Sequence, residues 1–498
     1  MARTCHPLLR ASKEKIIRCM RRQVCNPRVL FSFILALVFV YATWTVFAVQ
    51  RSTYLLKNPS ARNDVTLRRI RQVKPIRIPR NYSKPLPSFT PLLVNAHKPF
   101  EKLVHDAPNA LIKSVATVER KRKPVPQFSP QLKENSPYKV LKNYFGPSKS
   151  IVGVNSKTNN DTVTFCTHAT VNYLKFLVEL TKRWRGPVSV AVYAPGEDFV
   201  LAVEIIVFLR ACFPSVRAYA AFHLFYDADL TPEMDLRLSF VNVSARCAVY
   251  ENHFVSRPWS LAYPVNVARN VARAGARTKH VLVADVELMP SRDFVSKFAN
   301  FMSREARKNN AVMTANHRVF VLPVFEIAPG REIPETKKDL VAMINARTAF
   351  YFHSLVCPHC QRFPGISQWI SSEKPSENIK VFTVARREGV FLRWEPIYIG
   401  TKKDPFFDER LTWDGLQDKM SQVLEMCLVG YKFVVLDSAF LVHRPGLRTV
   451  SYMSNDPSVK WRHPLIAYNK NITEVIHEEL KAKYSGAFRR GMCHQPKA

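Results

Sequence analysis

The chain has 498 residues, 47% of them hydrophobic and 23% charged, so length alone would allow two or three domains, although the pattern reads as one. Its formal charge of +35 suggests nucleic acid, but residues 151–498 hold 45 basic against 33 acidic residues and so carry only +12. A nucleic-acid binder would concentrate basic charge on its folded part, so that partner class is excluded.

Residues 1–28 form a basic tail with eight arginines and lysines and one acidic residue. Val29 to Val49 follows, 21 residues without a charge and with Tyr41 and Trp44 in its second half. At about 1.5 Å per residue it spans the roughly 30 Å hydrocarbon core. The basic flank precedes it and only Arg51 and Lys57 follow closely, so the positive-inside rule leaves the tail in the cytosol. The run is too long for a cleaved signal peptide and no small-residue cleavage site follows it, so the expectation is a single-pass type II anchor. Residues 50–155 read as a lumenal stem: 51–150 hold 13 of the 34 prolines and 21 basic residues, with no sustained apolar periodicity to offset the entropy of ordering.

From Thr162 onwards the texture changes, and residues 156–498 are expected to form one α/β domain. Thr162 to His168 reads as a strand, Val171 to Trp184 as a helix, Pro187 to Ala194 as a strand, Asp198 to Phe213 as a helix and Val216 to Phe225 as a strand. Such alternation predicts a parallel sheet wrapped by helices. No Gly-rich phosphate loop of either common type is present, so a bound diphosphate would rest on a metal and side chains.

Val281 to Ala284 is a short β-branched run, as in a strand buried on both faces, and it ends in two carboxylates, Asp285 and Glu287. Pro290 and Ser291 are expected to break the strand and cap a helix. Carboxylates beyond the carboxyl end of a buried parallel strand lie where open α/β sheets bind ligands, and an oxygen pair at this spacing suits a hard divalent cation. Arg269 and Asn270, on the helix before that strand, are candidates for holding a phosphate or carboxylate.

Asn81, Asn160, Asn242 and Asn471 open glycosylation sequons, in keeping with a secretory-pathway lumen. Beyond the anchor lie seven cysteines, an odd number in an oxidising space. Cys166 sits inside an apolar strand and is expected to be the unpaired one, leaving six for three disulfides with Cys212–Cys247 the favoured pair. Cys357 to Cys360 (CPHC) lacks a second pair at zinc spacing, which favours a disulfide over a metal site.

Seven segments together resemble glycosyltransferase family 49: Thr167 to Asp198, Tyr263 to Arg273, Val281 to Ser291, Leu322 to Ile327, Trp394 to Gly400, Pro405 to Arg410 and Phe440 to Gly446. The resemblance covers roughly residues 160 to 485. It implies a GT-A (Rossmann-like) fold, Mn2+, a UDP-sugar donor, inversion at the anomeric carbon and a Golgi membrane address. It further implies transfer of glucuronic acid from UDP-glucuronate in β-1,4 linkage to a xylose-terminated O-mannosyl glycan of the α-dystroglycan type. N-acetylglucosamine or xylose donors, and a catalytically weak scaffold associated with other Golgi transferases, remain as alternatives. The family pattern at the metal motif is Asp-x-Asp, whereas this chain carries Glu287 at the second position.

The expected roles divide: Asp285, Glu287 and, at the position matching the metal-binding histidine of similar enzymes, His443, which ends an apolar strand, would hold the metal; Arg269 and Asn270 would meet the donor; Thr167 and His168 would bind substrate; Trp394 and Glu395 would line the acceptor pocket. An inverting transfer needs a general base, for which the aromatic loop Pro405 to Gly415 offers Asp408, Glu409 and Asp414.

Overall fold

The computed structural model describes residues 136–148, 162–232, 247, 262–308, 317–372, 376–387, 389–447, 449, 451, 454–489 and 493, all within the compact unit Ile78–Ala498. The expected anchor at 29–49 and the sequons at Asn81, Asn160 and Asn242 lie outside the described residues; Asn471 is exposed on a helix. Among the described residues no helix is long and apolar enough to cross a membrane.

In chain order the main elements are β1 (Tyr138–Phe145), β2 (Val163–Ala169), α1 (Leu177–Trp184), β3 (Val188–Tyr193), α2 (Asp198–Cys212), β4 (Ala220–Asp227), α3 (Val265–Gly275), β5 (His280–Val283), β6 (Leu288–Pro290), α4 (Phe294–Arg307), β7 (Arg318–Leu322), β8 (Val324–Ile327), β9 (Ala349–Tyr351), β10 (Lys380–Ala385), β11 (Ile397–Thr401), α5 (Met420–Val429), β12 (Lys432–Asp437), β13 (Leu441–His443) and α6 (His463–Lys483). The chain is therefore mixed α/β. One sheet has the order β1-β4-β3-β2-β5-β11-β7-β12-β10, and a smaller one β6-β13-β8-β9.

The expected parallel sheet exists only in part. β4, β3, β2 and β5 run parallel, built from wholly buried runs such as Val188–Tyr193, while β11 is antiparallel to both β5 and β7. One face of the parallel strands packs on α3 through Cys166, Ala191, Val267, Ala268 and Val271; the main core fills the other, with Trp184 stacked on Phe294.

Three expectations are corrected. β1 lies inside the stretch assigned to the stem, yet it pairs antiparallel with β4 from Tyr138↔Asp227 to Phe145↔Phe222, which extends the sheet. Pro214–Tyr219, read in part as strand, is a short helix, because Pro214 at its first turn presets the helical φ and β4 starts only at Ala220. Ser291 does not cap a helix: Pro290 ends β6, the Ser291 amide donates to the Phe440 carbonyl, and α4 starts at Phe294 behind Asp293 in the left-handed region.

The cysteines pair as Cys212–Cys247, Cys357–Cys360 and Cys427–Cys493, and Cys166 is buried and free. Burial among apolar side chains pushes its thiol up to about 12, so it stays protonated and inert.

Candidate active site

The site lies beyond the carboxyl ends of β2 and β5. β5 stops at Val283, so Asp285 projects from the turn that follows, its side chain 30% exposed. Asp285 Oδ1 accepts from His168 Nε2 at 3.2 Å and lies 3.5 Å from Arg269 Nη2. On its other side the His168 ring meets the Tyr263 hydroxyl at 3.0 Å from Nδ1. An ordered relay Tyr263–His168–Asp285 results, with the tyrosine hydroxyl donating to Nδ1 and Nε2–H donating to the carboxylate.

Burial would raise the Asp285 carboxyl, but Lys419, the His168 hydrogen bond and Arg269 together hold it well below the usual carboxylate range. Burial lowers His168, against the pull of Asp285. The aspartate is thus a fixed negative charge beside a neutral imidazole. Lys419, which the sequence did not single out, lines a small pocket with Arg269, Asp285, Tyr398 and Phe407.

His443 at the end of β13 meets Glu287 in the turn just before β6: β13 is antiparallel to β6 with His443↔Leu288 in register. Their Nε2 and Oε2 are 4.0 Å apart. The His443 Nδ1–H donates to the Arg444 carbonyl at 3.0 Å, and Phe352 stacks on the ring with centroids 5.1 Å apart. That bond fixes the tautomer with the Nε2 lone pair directed away from the backbone, as metal-binding imidazoles are commonly held.

Two ligands each about 2.1 Å from one hard cation are at most about 4.2 Å apart, so the His443–Glu287 pair fits one ion. Among the described residues, however, no three His, Cys, Asp or Glu side chains stand together ready to hold a metal. Asp285 keeps its contacts with His168 and Arg269, both on Oδ1.

The other expected residues divide. Arg269 is at the site but 2% exposed, bound to Asp418 and Asn266 and stacked over Phe407 with its guanidinium 5.3 Å from the ring centre. Asn270 is not directed at a ligand: its amide donates to the Phe407 carbonyl and to Glu409 Oε1, both at 2.9 Å, and accepts from the Phe407 amide at 3.2 Å. Thr167 Oγ1 is buried and lacks a hydrogen-bond partner, as do Thr170 Oγ1 and Arg269 Nη2.

Trp394 does not line a pocket. It is 1% exposed and packs on Phe363 and Phe433 in the core. Its neighbour Glu395 is at the site, with Lys419, Asp418, Arg387 and Arg269 as charged neighbours, and burial raises its carboxyl above the ordinary value.

The three loop carboxylates are engaged in holding the fold. Asp408 accepts from Arg410 at 2.9 and 2.7 Å, and Arg410 also clamps Glu479 of α6. Glu409 accepts from Asn270. Asp414 Oδ2 accepts the Tyr263 amide at 3.0 Å, with Arg462 3.6 Å from Oδ1. Glu409 and Asp414 are held by distant segments, and Asp408 by Arg410 beside it, which is itself tied to the distant Glu479.

Residues 162–485 match the family model described as "Glycosyl-transferase for dystroglycan". Beta-1,4-glucuronyltransferase 1 of Danio rerio is 31% identical over 374 residues, covering 71% of this chain and 81% of that protein. Its Homo sapiens counterpart is 29% identical over 343 residues, covering 66% and 78%. Xylosyl- and glucuronyltransferase LARGE2s of Gallus gallus is 23% identical over 339 residues, covering 66% of this chain and 37% of that protein. The family match spans well over half of the chain and takes in both halves of the site, from His168 on β2 to His443 on β13: the chain belongs to glycosyltransferase family 49.

Proposed function

We propose that this glycosyltransferase has a GT-A fold and transfers glucuronic acid, with inversion, from UDP-glucuronate in β-1,4 linkage to a xylose-terminated O-mannosyl glycan on a glycoprotein. It would act as a type II protein of the Golgi membrane. The relatives named as glucuronyltransferases support the donor. The observation that carries the reading is the charge arrangement beyond β5, where an ionised Asp285 and a Glu287–His443 pair stand opposite Arg269 and Lys419.

Glu287, His443 Nε2 and Asp285 would hold Mn2+, which when bound compensates the charge of the diphosphate leaving group. Arg269 adds a fixed positive charge, with its Nη2 turned to Asp285 at 3.5 Å. Glu395, whose carboxyl burial raises and which has Arg269, Lys419 and Asp418 as charged neighbours, takes the proton of the attacking hydroxyl. His168 and Tyr263 keep Asp285 in place and do not move a proton themselves.

The xylosyl half of the name of the Gallus relative keeps a xylose donor as second reading. Turnover of a panel of UDP-sugars with and without Mn2+ tests the proposal. Turnover of UDP-glucuronate alone supports it, turnover of UDP-xylose alone transfers it to the second reading, and turnover of none would leave the scaffold role.

A further inference from the structure

The segment from Phe352 to Gln361 runs between two parts of the site and is closed by the disulfide Cys357–Cys360. At one end Phe352 stacks on His443, and its amide is held by the Val324 carbonyl at 3.0 Å. At the other end the Glu395 amide donates to the Cys360 carbonyl at 2.8 Å, and Gln361 Nε2 donates to the Glu395 carbonyl at 3.0 Å. The disulfide therefore sits on a stretch that touches both His443 and Glu395.

The three bridges differ chiefly in loop length. Cys212–Cys247 and Cys427–Cys493 span 35 and 66 residues; Cys212, Cys247 and Cys427 are half-buried like the cysteines of the third bridge, and Cys493 is only 6% exposed. Cys357–Cys360 spans three, with both cysteines half-buried and Pro358 and His359 exposed between them. Opening the smallest loop relaxes the rest of the fold least, so this bridge can break without unfolding, and its setting leaves the sulfurs within reach of a thiolate. A Cys-x-x-Cys pair on a surface turn is also the arrangement in which one thiolate is stabilised and the second thiol resolves a mixed disulfide.

We propose that Cys357 and Cys360 form a redox-active dithiol–disulfide site that exchanges with small thiols or protein dithiols and whose state sets the geometry of the transferase site. In the exchange, an external thiolate attacks one sulfur and the other leaves as thiolate. A second external thiol then attacks the mixed disulfide. Two electrons and two protons pass to the pair, and the external thiols become a disulfide. Reduction frees the turn that holds the Cys360 carbonyl under Glu395 and Phe352 on His443.

The test uses the natively folded lumenal protein in glutathione buffers of graded ratio. Differential alkylation with peptide mapping reads the exchange, and hydrogen exchange at residues 352–361 and 394–396 reads the coupling without reference to any donor sugar. Only the activity readout rests on the proposed function. Expected are alkylation of Cys357 and Cys360 while the other four cysteines stay paired, faster hydrogen exchange at both segments, and about a tenfold fall in transfer that reoxidation reverses. The double variant Cys357→Ala, Cys360→Ala should show the reduced-state hydrogen exchange in every buffer. Opening of this bridge only together with the other two would overturn the site. Selective opening with unchanged hydrogen exchange at 394–396 would overturn the coupling.

Discussion

Glu395 and Asp408 are both carboxylates near the site, and their surroundings set opposite expectations. Asp408 is part of an exposed network with Arg410 and Glu479, and exposed pairs of this kind are worth at most about 1 kcal/mol. Asp408→Asn should leave kcat unchanged and lower the melting temperature slightly. Glu395 is held at the site with its carboxyl raised by burial, so Glu395→Gln should lower kcat by about 100-fold or more with little change in the melt. A Glu395→Gln enzyme of normal kcat would remove it as base. The sequence directed attention to Asp408 because the aromatic loop around it resembles a sugar platform; Glu479, which occupies it through Arg410, lies 69 residues from that arginine, a pairing that no local pattern reveals. The proposed metal motif reads in the sequence as carboxylates after a strand, and the structure adds that of these two carboxylates Glu287 is the one paired with His443. Glu287→Asp tests the extra methylene: it should retain or raise turnover and lower the Mn2+ concentration for half-maximal rate. A complete loss would mean that the 4.0 Å reach to His443 needs the longer side chain.

At the scale of elements, α3 shows how half of a pattern can be read and the other half missed. Val267, Ala268, Val271 and Ala272 form its apolar stripe, at the spacing of a helix face. Asn266, Arg269, Asn270 and Arg273 recur with the same helical spacing, which from sequence reads as a solvated or ligand-binding face. All four are buried. They hold the segment 402–418: Asn266 reaches the Asp408 and Asp418 carbonyls at 2.7 and 2.8 Å, and Arg273 the Pro405 carbonyl at 2.8 Å. The partners lie about 130 to 150 positions downstream, so only the folded chain could show that this stripe binds protein. Asn266→Ala leaves two buried carbonyls and one Arg269 contact unmatched, and each unmatched buried polar group costs about 1–3 kcal/mol. The variant should lose that order of stability in denaturant titration and lose transfer as well, since Arg269 is no longer held toward Asp285. A stable variant with normal transfer would mean that the loop is positioned otherwise.

At the scale of the whole molecule, the alternation of strand and helix was legible because buried strands are short β-branched runs, whereas the joining of β1 to the sheet was not, because Tyr138–Phe145 lies among prolines and lysines. The proposed membrane orientation rests on charge alone: protease added to sealed Golgi vesicles should spare residues 156–498, and digestion there would refute the type II arrangement.

The junction of β1, β3, β4 and α3 passes through one side chain, His223. The Asn143 amide donates to its Nδ1 at 2.9 Å, while its Nε2 lies 2.9 Å from Ser189 Oγ. Ser189 directs its own hydrogen to the Ala272 carbonyl at 2.6 Å, so Nε2 carries the proton and Nδ1 accepts: the ring is neutral and fully bonded. Gly275 is required alongside it, since a Cβ there would fall 2.1 Å from Nε2. Burial, then Lys142 and Arg277, push the imidazole down to about 4. An unfolded histidine titrates near 6.5, so between these values the unfolded chain binds a proton that the folded chain refuses. Stability from this group is therefore complete above about pH 6.5 and falls as pH drops toward 4, by roughly 3 kcal/mol in all. His168, lowered in the same direction, adds to the slope, so the prediction concerns a difference between proteins. Unfolding free energies of wild type and His223→Gln, measured from pH 7.5 to 4.5, should show the variant less stable at pH 7.5 but with a slope smaller by about one proton in the window. Equal slopes would mean that His223 accepts a proton without disturbing the four elements it joins.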